Sequence, residues 1–332
     1  MPVKQAEPKK SVSKSNPTTS QTTNAPTSFI SLALKGMAMG IAEVIPGVSG
    51  GTIAFITGIY EKLLNTIKAF SPALFKIVKQ EGISGLWAAI NGTFIVTLLI
   101  GMATGVVVGV FGVTHLLETY PEMLWSFFFG LIISSAIFIG KQVPKWSFTE
   151  ILALIVGTAF AYYITVASPA QGNEALWFVF LSGAIAISAL ILPGISGSFI
   201  LLIMGMYSFI IPTVKNALKT FDSESLMIVG VFAAGCLLGL MTFSRVLSWT
   251  FKNYKSPTLA LLTGFMLGSL NKLWPWRNVI STRINSKGET VPFIEESVLP
   301  AAYQGDPQLV GVLIAMLVGF LSVFILERLG KK

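Results

Sequence analysis

The residues best equipped for chemistry lie in two short stretches of one design. Glu43, Pro46, Gly47, Ser49, Gly50, Gly51 and Thr52 occupy the first, and Pro193, Gly194, Ser196, Gly197 and Ser198 the second, 147 positions later. Aligned without a gap, residues 45–60 and 192–207 share eight positions of sixteen: Pro46/Pro193, Gly47/Gly194, Ser49/Ser196, Gly50/Gly197, Ile53/Ile200, Ile56/Ile203, Gly58/Gly205 and Tyr60/Tyr207. Proline removes a backbone donor and glycine weakens a helix, so each stretch must interrupt the apolar run around it. The interruption leaves backbone N–H groups and helix N-termini beside serine and threonine hydroxyls, a combination suited to a phosphate or another anion. The alternative is that Gly and Ser only let helices pack closely.

Two charged residues extend this chemistry. Glu43 lies inside an apolar run, where acids usually face a cavity or a partner. Loss of water disfavours its charged form, which suits it to exchanging a proton or meeting a cation. It could instead be a helix-end carboxylate satisfied by backbone N–H groups next to the break. Its counterpart is Leu190, so the two stretches are not chemically equivalent. Arg245 sits near one end of a later apolar segment, where it would pair with Glu43 or clamp a phosphate bidentately. A snorkelling arginine at the membrane surface is the plain alternative.

These residues need elements to hold them, and composition says which kind. Of 332 residues 53% are hydrophobic and 11% charged, with a mean hydropathy of +0.74. That excludes a soluble domain and implies an all-α, polytopic membrane protein. The net charge of +8 then reads as membrane orientation rather than nucleic-acid binding. Cys236 is alone, so no internal disulfide forms, and no metal-ligand cluster or cofactor motif is present. Residues 1–28 are rich in Ser, Thr, Pro, Gln, Asn and Lys and read as a disordered cytoplasmic tail.

Along the chain, residues 29–60 form the first broken hairpin and 61–82 a basic, amphipathic segment at a membrane surface. Spans are expected near 84–112, 121–140 and 149–167, closing a first unit over 29–172. The second broken hairpin covers 175–212, and spans near 225–250, 257–272 and 307–328 complete a unit over 173–332. The polar loop 273–306 carries Trp274-Pro275-Trp276, suited to an interfacial anchor.

If the tail is cytoplasmic and each hairpin returns to its own side, seventeen of the 23 Lys/Arg fall inside. The same topology puts nine of the 15 acidic residues outside. Positive-inside bias supports it, with both termini cytoplasmic. The hairpins then enter from opposite faces, so the units form inverted-topology repeats, each with a re-entrant hairpin at its Pro-Gly-x-Ser-Gly motif. Broken helices in corresponding places of two halves point to a transporter's substrate site.

Other classes fit less well. Gly47-Val48-Ser49-Gly50 and its partner match the Gly-x-Ser-Gly of intramembrane serine proteases. The lone histidine, His115, lies outside the expected spans, and a duplicated nucleophile serves no purpose. No Walker loop supports ATP-driven transport. A secondary carrier of a small soluble anion is the serious competitor.

Glu43-x-x-Pro46-Gly47-Val48-Ser49-Gly50-Gly51-Thr52 with Gly58-Ile59-Tyr60-Glu61, and Leu192-Pro193-Gly194-Ile195-Ser196-Gly197-Ser198 with Gly205-Met206-Tyr207, resemble the PopT-type polyprenyl-phosphate transporters. That family was long catalogued as a domain of unknown function. Phe243-Ser244-Arg245 and Leu273-Trp274-Pro275-Trp276 resemble it too, and the likeness spans roughly 30–330. The resemblance implies a bacterial cytoplasmic-membrane protein, not an enzyme. It would return undecaprenyl phosphate from the outer to the inner leaflet, recycling the carrier of peptidoglycan and O-antigen precursors. It also implies dependence on the proton motive force, with Glu43 as coupling residue. The phosphate is then expected between the Ser49 and Ser196 turns, counter-charged by Arg245.

Overall fold

The computed structural model describes residues 28–330 except 46, 47, 168 and 285–289. The expected disordered tail, Pro46, Gly47 and the last two lysines therefore lie outside the described residues.

The chain is mostly helical. The first half comprises α1 (Phe29–Glu43), α2 (Gly50–Ile56), α3 (Tyr60–Ala69), α4 (Ala73–Ala89), α5 (Gly92–Thr119), α6 (Pro121–Gly140) and α7 (Phe148–Val166). The second comprises α8 (Leu176–Ile191), α9 (Gly197–Ile203), α10 (Tyr207–Thr220), α11 (Ser223–Asn253), α12 (Lys255–Ser269) and α13 (Leu309–Gly330). Among the described residues, α5, α6, α7, α11 and α13 are long and apolar enough to cross a membrane. The number becomes six if α9 and α10, bent by 115°, count as one span. Leu99, Ile100 and Phe111 on α5, Ile155 and Phe160 on α7, and Leu313, Ile314 and Leu317 on α13 are exposed. Apolar surface on that scale suits lipid rather than water. The protein is a multi-pass helical membrane protein.

Helix α12 runs through the middle, with Leu259, Ala260, Leu262 and Met266 all but inaccessible. It packs on α7, while α6 packs on α13, α1 on α5 and α8 on α11. Glycines set these four contacts. A Cβ on Gly36 would come within 2.4 Å of Leu98 O, and one on Gly183 within 2.5 Å of Phe232 O. Gly101 faces Ala33 O as Gly235 faces Phe180 O, and Gly105 faces Met37 O as Gly239 faces Ala184 O. In the central pairs, Gly130 meets Met316 O as Gly264 meets Leu154 O, and Gly319 meets Phe127 O as Gly157 meets Leu261 O. Small residues let helix backbones approach this closely where lipid offers no hydrophobic drive for association.

Gly105→Val and Gly239→Val are expected to part their helix pairs, each costing about 1–3 kcal/mol by overpacking. Thermal unfolding in detergent should show both. Gly112→Val is the control, because a Cβ there meets nothing within 4 Å.

Three expectations change. The amphipathic segment 61–82 is two helices, because the chain turns at Ser71-Pro72 between α3 and α4 and proline cannot continue a helix. Second, no span begins at 84: α4 continues to Ala89 across a kink at Gly82 (φ 67°), and α5 starts only after Asn91 (φ 49°). Third, the fold is not wholly α. The loop 273–306 contains strands β1 (Arg277–Ile284) and β2 (Thr290–Ser297), paired antiparallel from Arg277↔Ser297 to Ile284↔Thr290. Val279, Ile280, Thr282 and Ile284 opposite Thr290, Val291 and Ile294 are the β-branched residues a small sheet favours. The indole N–H groups of Trp274 and Trp276 donate to Val298 O and Pro307 O, at 2.8 and 2.9 Å, securing the base of this hairpin.

Candidate functional site

Helix α1 ends at Glu43 because Pro46 is near, and the residue before a proline is pushed out of the helical region. The last turn tightens: Val44 N–H donates to Ile41 O and Ile45 N–H to Ala42 O. At α8 the same closure recurs, with Leu192 N–H donating to Ala189 O. Each short helix that follows is also closed alike. Ile59 N–H reaches Ala54 O and Gly58 N–H reaches Phe55 O; Met206 N–H reaches Leu201 O and Gly205 N–H reaches Leu202 O. Gly58 and Gly205 stand at φ 72° and 70°, a left-handed conformation that this helix ending requires and glycine adopts without penalty.

The two turns meet. Ser49 Oγ donates to Leu190 O at 3.2 Å and accepts the Gly51 N–H at 3.1 Å, capping α2. The Gly194 N–H donates to Thr52 Oγ1 at 3.2 Å. Both side chains are shut from solvent, Ser49 at 1% and Thr52 at 0% exposure. Gly51 makes the approach possible, since a Cβ on it would lie 2.5 Å from Ile191 O. In the second turn the hydroxyls of Ser196 and Ser198 bond each other at 2.9 Å, and Ser196 gives α9 no side-chain cap. Gly194 (φ 82°) lies against Met266 of α12, tying the second turn to the central helix. Gly197 packs on Ala186 O within its own hairpin.

Glu43 Oε1 accepts the Gly50 N–H at 2.8 Å. The carboxylate thus bridges the break and holds the start of α2, the backbone-satisfied arrangement that stood as the alternative to a free acid. Arg245 is elsewhere. Its Nη1 donates to Met241 O at 2.6 Å and its Nη2 to Phe70 O at 3.1 Å, so it joins α11 to the end of α3. Further along that seam Ser248 Oγ meets Asn65 Oδ1 at 3.4 Å and Lys255 Nζ meets Glu61 Oε1 at 3.0 Å. A cleft of about 310 Å³ opens there, lined by Glu61, Asn65, Lys68, Ser248, Lys252 and Lys255. The structure therefore brings Glu43, Ser49, Gly50, Gly51, Thr52 and Gly194 together and leaves Arg245 bonded to other partners.

One site residue escaped the sequence reading. Tyr60 Oη donates to Ile191 O at 3.1 Å, within a buried aromatic group with Phe55 and Phe251. Its match with Tyr207 in the duplicated stretch was the available signal.

Residues 39–291 match the family model described as undecaprenyl phosphate translocase-like. A polyprenyl-phosphate transporter of Vibrio cholerae is 45% identical over 308 residues, covering 92% of this chain and 98% of the relative. A polyprenyl-phosphate transporter of Staphylococcus aureus is 32% identical over 256 residues, covering 73% and 85%. No solved structure matches the chain at a significant level. With the doubled turn intact and likeness running through nearly all of both chains, the protein belongs to the undecaprenyl phosphate translocase-like family.

Proposed function

We propose that this chain moves a polyprenyl phosphate, undecaprenyl phosphate foremost, between the leaflets of a bacterial cytoplasmic membrane, returning it from the outer to the inner side. The observation that carries the reading is the 45% identity to a polyprenyl-phosphate transporter over nearly its whole length. The turn geometry supports a gated carrier at residues 43–52 and 190–198. Admitting a phosphate between the turns means parting the Ser49–Leu190 and Thr52–Gly194 bonds. Buried hydrogen bonds contribute only about 1 kcal/mol each, so a charged head group can displace them.

In this reading residues 29–172 and 173–332 are inverted repeats, with re-entrant hairpins at 29–60 and 175–212 and both termini cytoplasmic. The uneven Lys/Arg distribution, the 115° bend of α9 on α10 and the corresponding glycine contacts of the halves support it. Glu43 couples transport to protons: a protonated carboxyl accepts less strongly from Gly50 N–H and loosens the start of α2. Arg245 counter-charges the phosphate only after leaving Phe70 O and Met241 O.

The test uses purified protein in liposomes carrying labelled undecaprenyl phosphate, scoring leaflet exchange with and without an imposed pH gradient. Protein-dependent exchange that accelerates with the gradient is expected. No exchange under any gradient, with lipid orientation verified, would overturn the reading in favour of a soluble-anion carrier.

A further inference from the structure

Helix α12 has 15 residues, so its ends are about 22 Å apart. The Glu61–Lys255 pair marks one end. At the other a separate cleft of about 520 Å³ opens between the end of α7, α9 and the β1–β2 hairpin. The cations in it are built in rather than scattered on the surface. The side chains of Lys272 and Arg277 are only 17% and 10% exposed. Lys272 Nζ lies 5.2 Å from the centre of the Phe199 ring on α9. Glu295 Oε2 reaches both cations, at 3.3 Å from Lys272 and 3.0 Å from Arg277. Arg277 Nη1 also donates to Lys272 O at 3.3 Å.

Donors outnumber acceptors. Lysine brings three N–H groups and arginine five, whereas among the described residues one carboxylate oxygen and one carbonyl meet them. Arg277 Nε is buried with no partner among the described residues. A buried unsatisfied donor is costly, and more so when charged. The other carboxylate of the cleft, Glu296, is exposed at the rim. An arriving anion would satisfy the orphan donor and relieve the repulsion between the two cations.

The geometry points to a second anion site, in which Lys272 and Arg277 receive a phosphate monoester at the end of α12 remote from Lys255. Arginine suits phosphate through paired donors and lysine as a point charge. Phe199, Leu202 and Ile203 of α9 form one apolar wall of the cleft, and Phe199 directly follows Ser198 of the second turn. An isoprenoid tail laid on that wall would bring its head group to the threshold of the turn. This assignment to the lipid rests on the transport reading above, whereas the donor set would serve free phosphate equally.

The experiment measures binding of two probes to the full-length protein in nanodiscs: inorganic phosphate, and undecaprenyl phosphate within the disc. Lys272→Ala and the charge-balanced pair Arg277→Ala/Glu295→Ala should each weaken binding about tenfold or more, the scale of a lost charge-assisted bond. Glu295→Gln should tighten binding several-fold, because it frees donors for the incoming anion; a merely structural role for Glu295 would give no such gain. Weakening of both probes supports the site and assigns it to the lipid head group. Weakening of inorganic phosphate alone supports it as a site for the soluble anion. Unchanged binding of both probes in the first two variants, with no gain in Glu295→Gln, overturns it. Failed leaflet exchange alongside intact, Lys272-dependent phosphate binding would sink the transport reading alone.

Discussion

Glu43→Gln is expected to fold, bind lipid and lose gradient-driven leaflet exchange down to the protein-free background. The substitution separates the hydrogen bond that the carboxylate makes from the proton coupling proposed for it. The amide oxygen of glutamine can still accept the Gly50 N–H that Glu43 Oε1 accepts at 2.8 Å, so α2 keeps its start. A neutral acceptor is roughly half as strong as a charged one, which limits the stability loss to about 1 kcal/mol. The side chain can no longer take up or release a proton. Thermal unfolding checks the first consequence and the liposome assay the second. Gradient-responsive exchange persisting in the variant would remove Glu43 from the coupling. Glu43→Ala offers a contrast, since it discards the hydrogen bond as well and should be less stable than the glutamine form.

The second large effect is expected at Gly51. Alanine there would place its Cβ 2.5 Å from Ile191 O and 3.1 Å from Ser49 Oγ. The backbone on which it presses also carries the acceptors of Ser49 Oγ and Tyr60 Oη, Leu190 O and Ile191 O. One added methyl therefore strains the hydrogen bonds that Ser49 and Tyr60 donate to the end of α8. Overpacking of this kind costs about 1–3 kcal/mol, and the turns should part enough to slow leaflet exchange about tenfold, since about 1.4 kcal/mol is a factor of ten. Gly58→Ala isolates the backbone component, because that residue has φ 72° and open space around its Cβ position. It should destabilise without breaking the contact between the turns. Wild-type exchange rates in a folded Gly51→Ala protein would show that close apposition of the turns is not needed in the cycle.

Much of this protein was legible one residue at a time. Pro46 and Pro193 act on their own backbone, so the ends of α1 and α8 follow from composition and spacing alone. The apolar runs at 121–140 and 149–167 became α6 and α7 almost to the residue, since a long apolar segment with a single charge near its end satisfies its own backbone in lipid as a helix. Gly58 and Gly205 stood out only as a matched pair in the duplicated stretch; the structure places both at helix ends, where a residue without a side chain turns at no penalty.

What escaped depended on partners distant in sequence. Ser49 and Thr52 were visible as hydroxyls beside a break, but Leu190 O and the Gly194 N–H are backbone groups that almost every residue offers, and sequence carries no mark of which will be used. Arg245 looked like a partner for Glu43 because both are charged in an apolar setting. The register of α11 on α3 delivered its guanidinium to Phe70 O instead. The β1–β2 hairpin was hidden because isolated two-stranded sheets are marginal in water, and its stability comes from tryptophans bonded to Val298 and Pro307. The Lys272–Arg277 cleft arose likewise, from folding this hairpin back over α9. Local breaks and apolar spans were thus determined by the chain itself, while the pairing of polar groups across the bundle was decided by which helix faces close-packed glycines brought together.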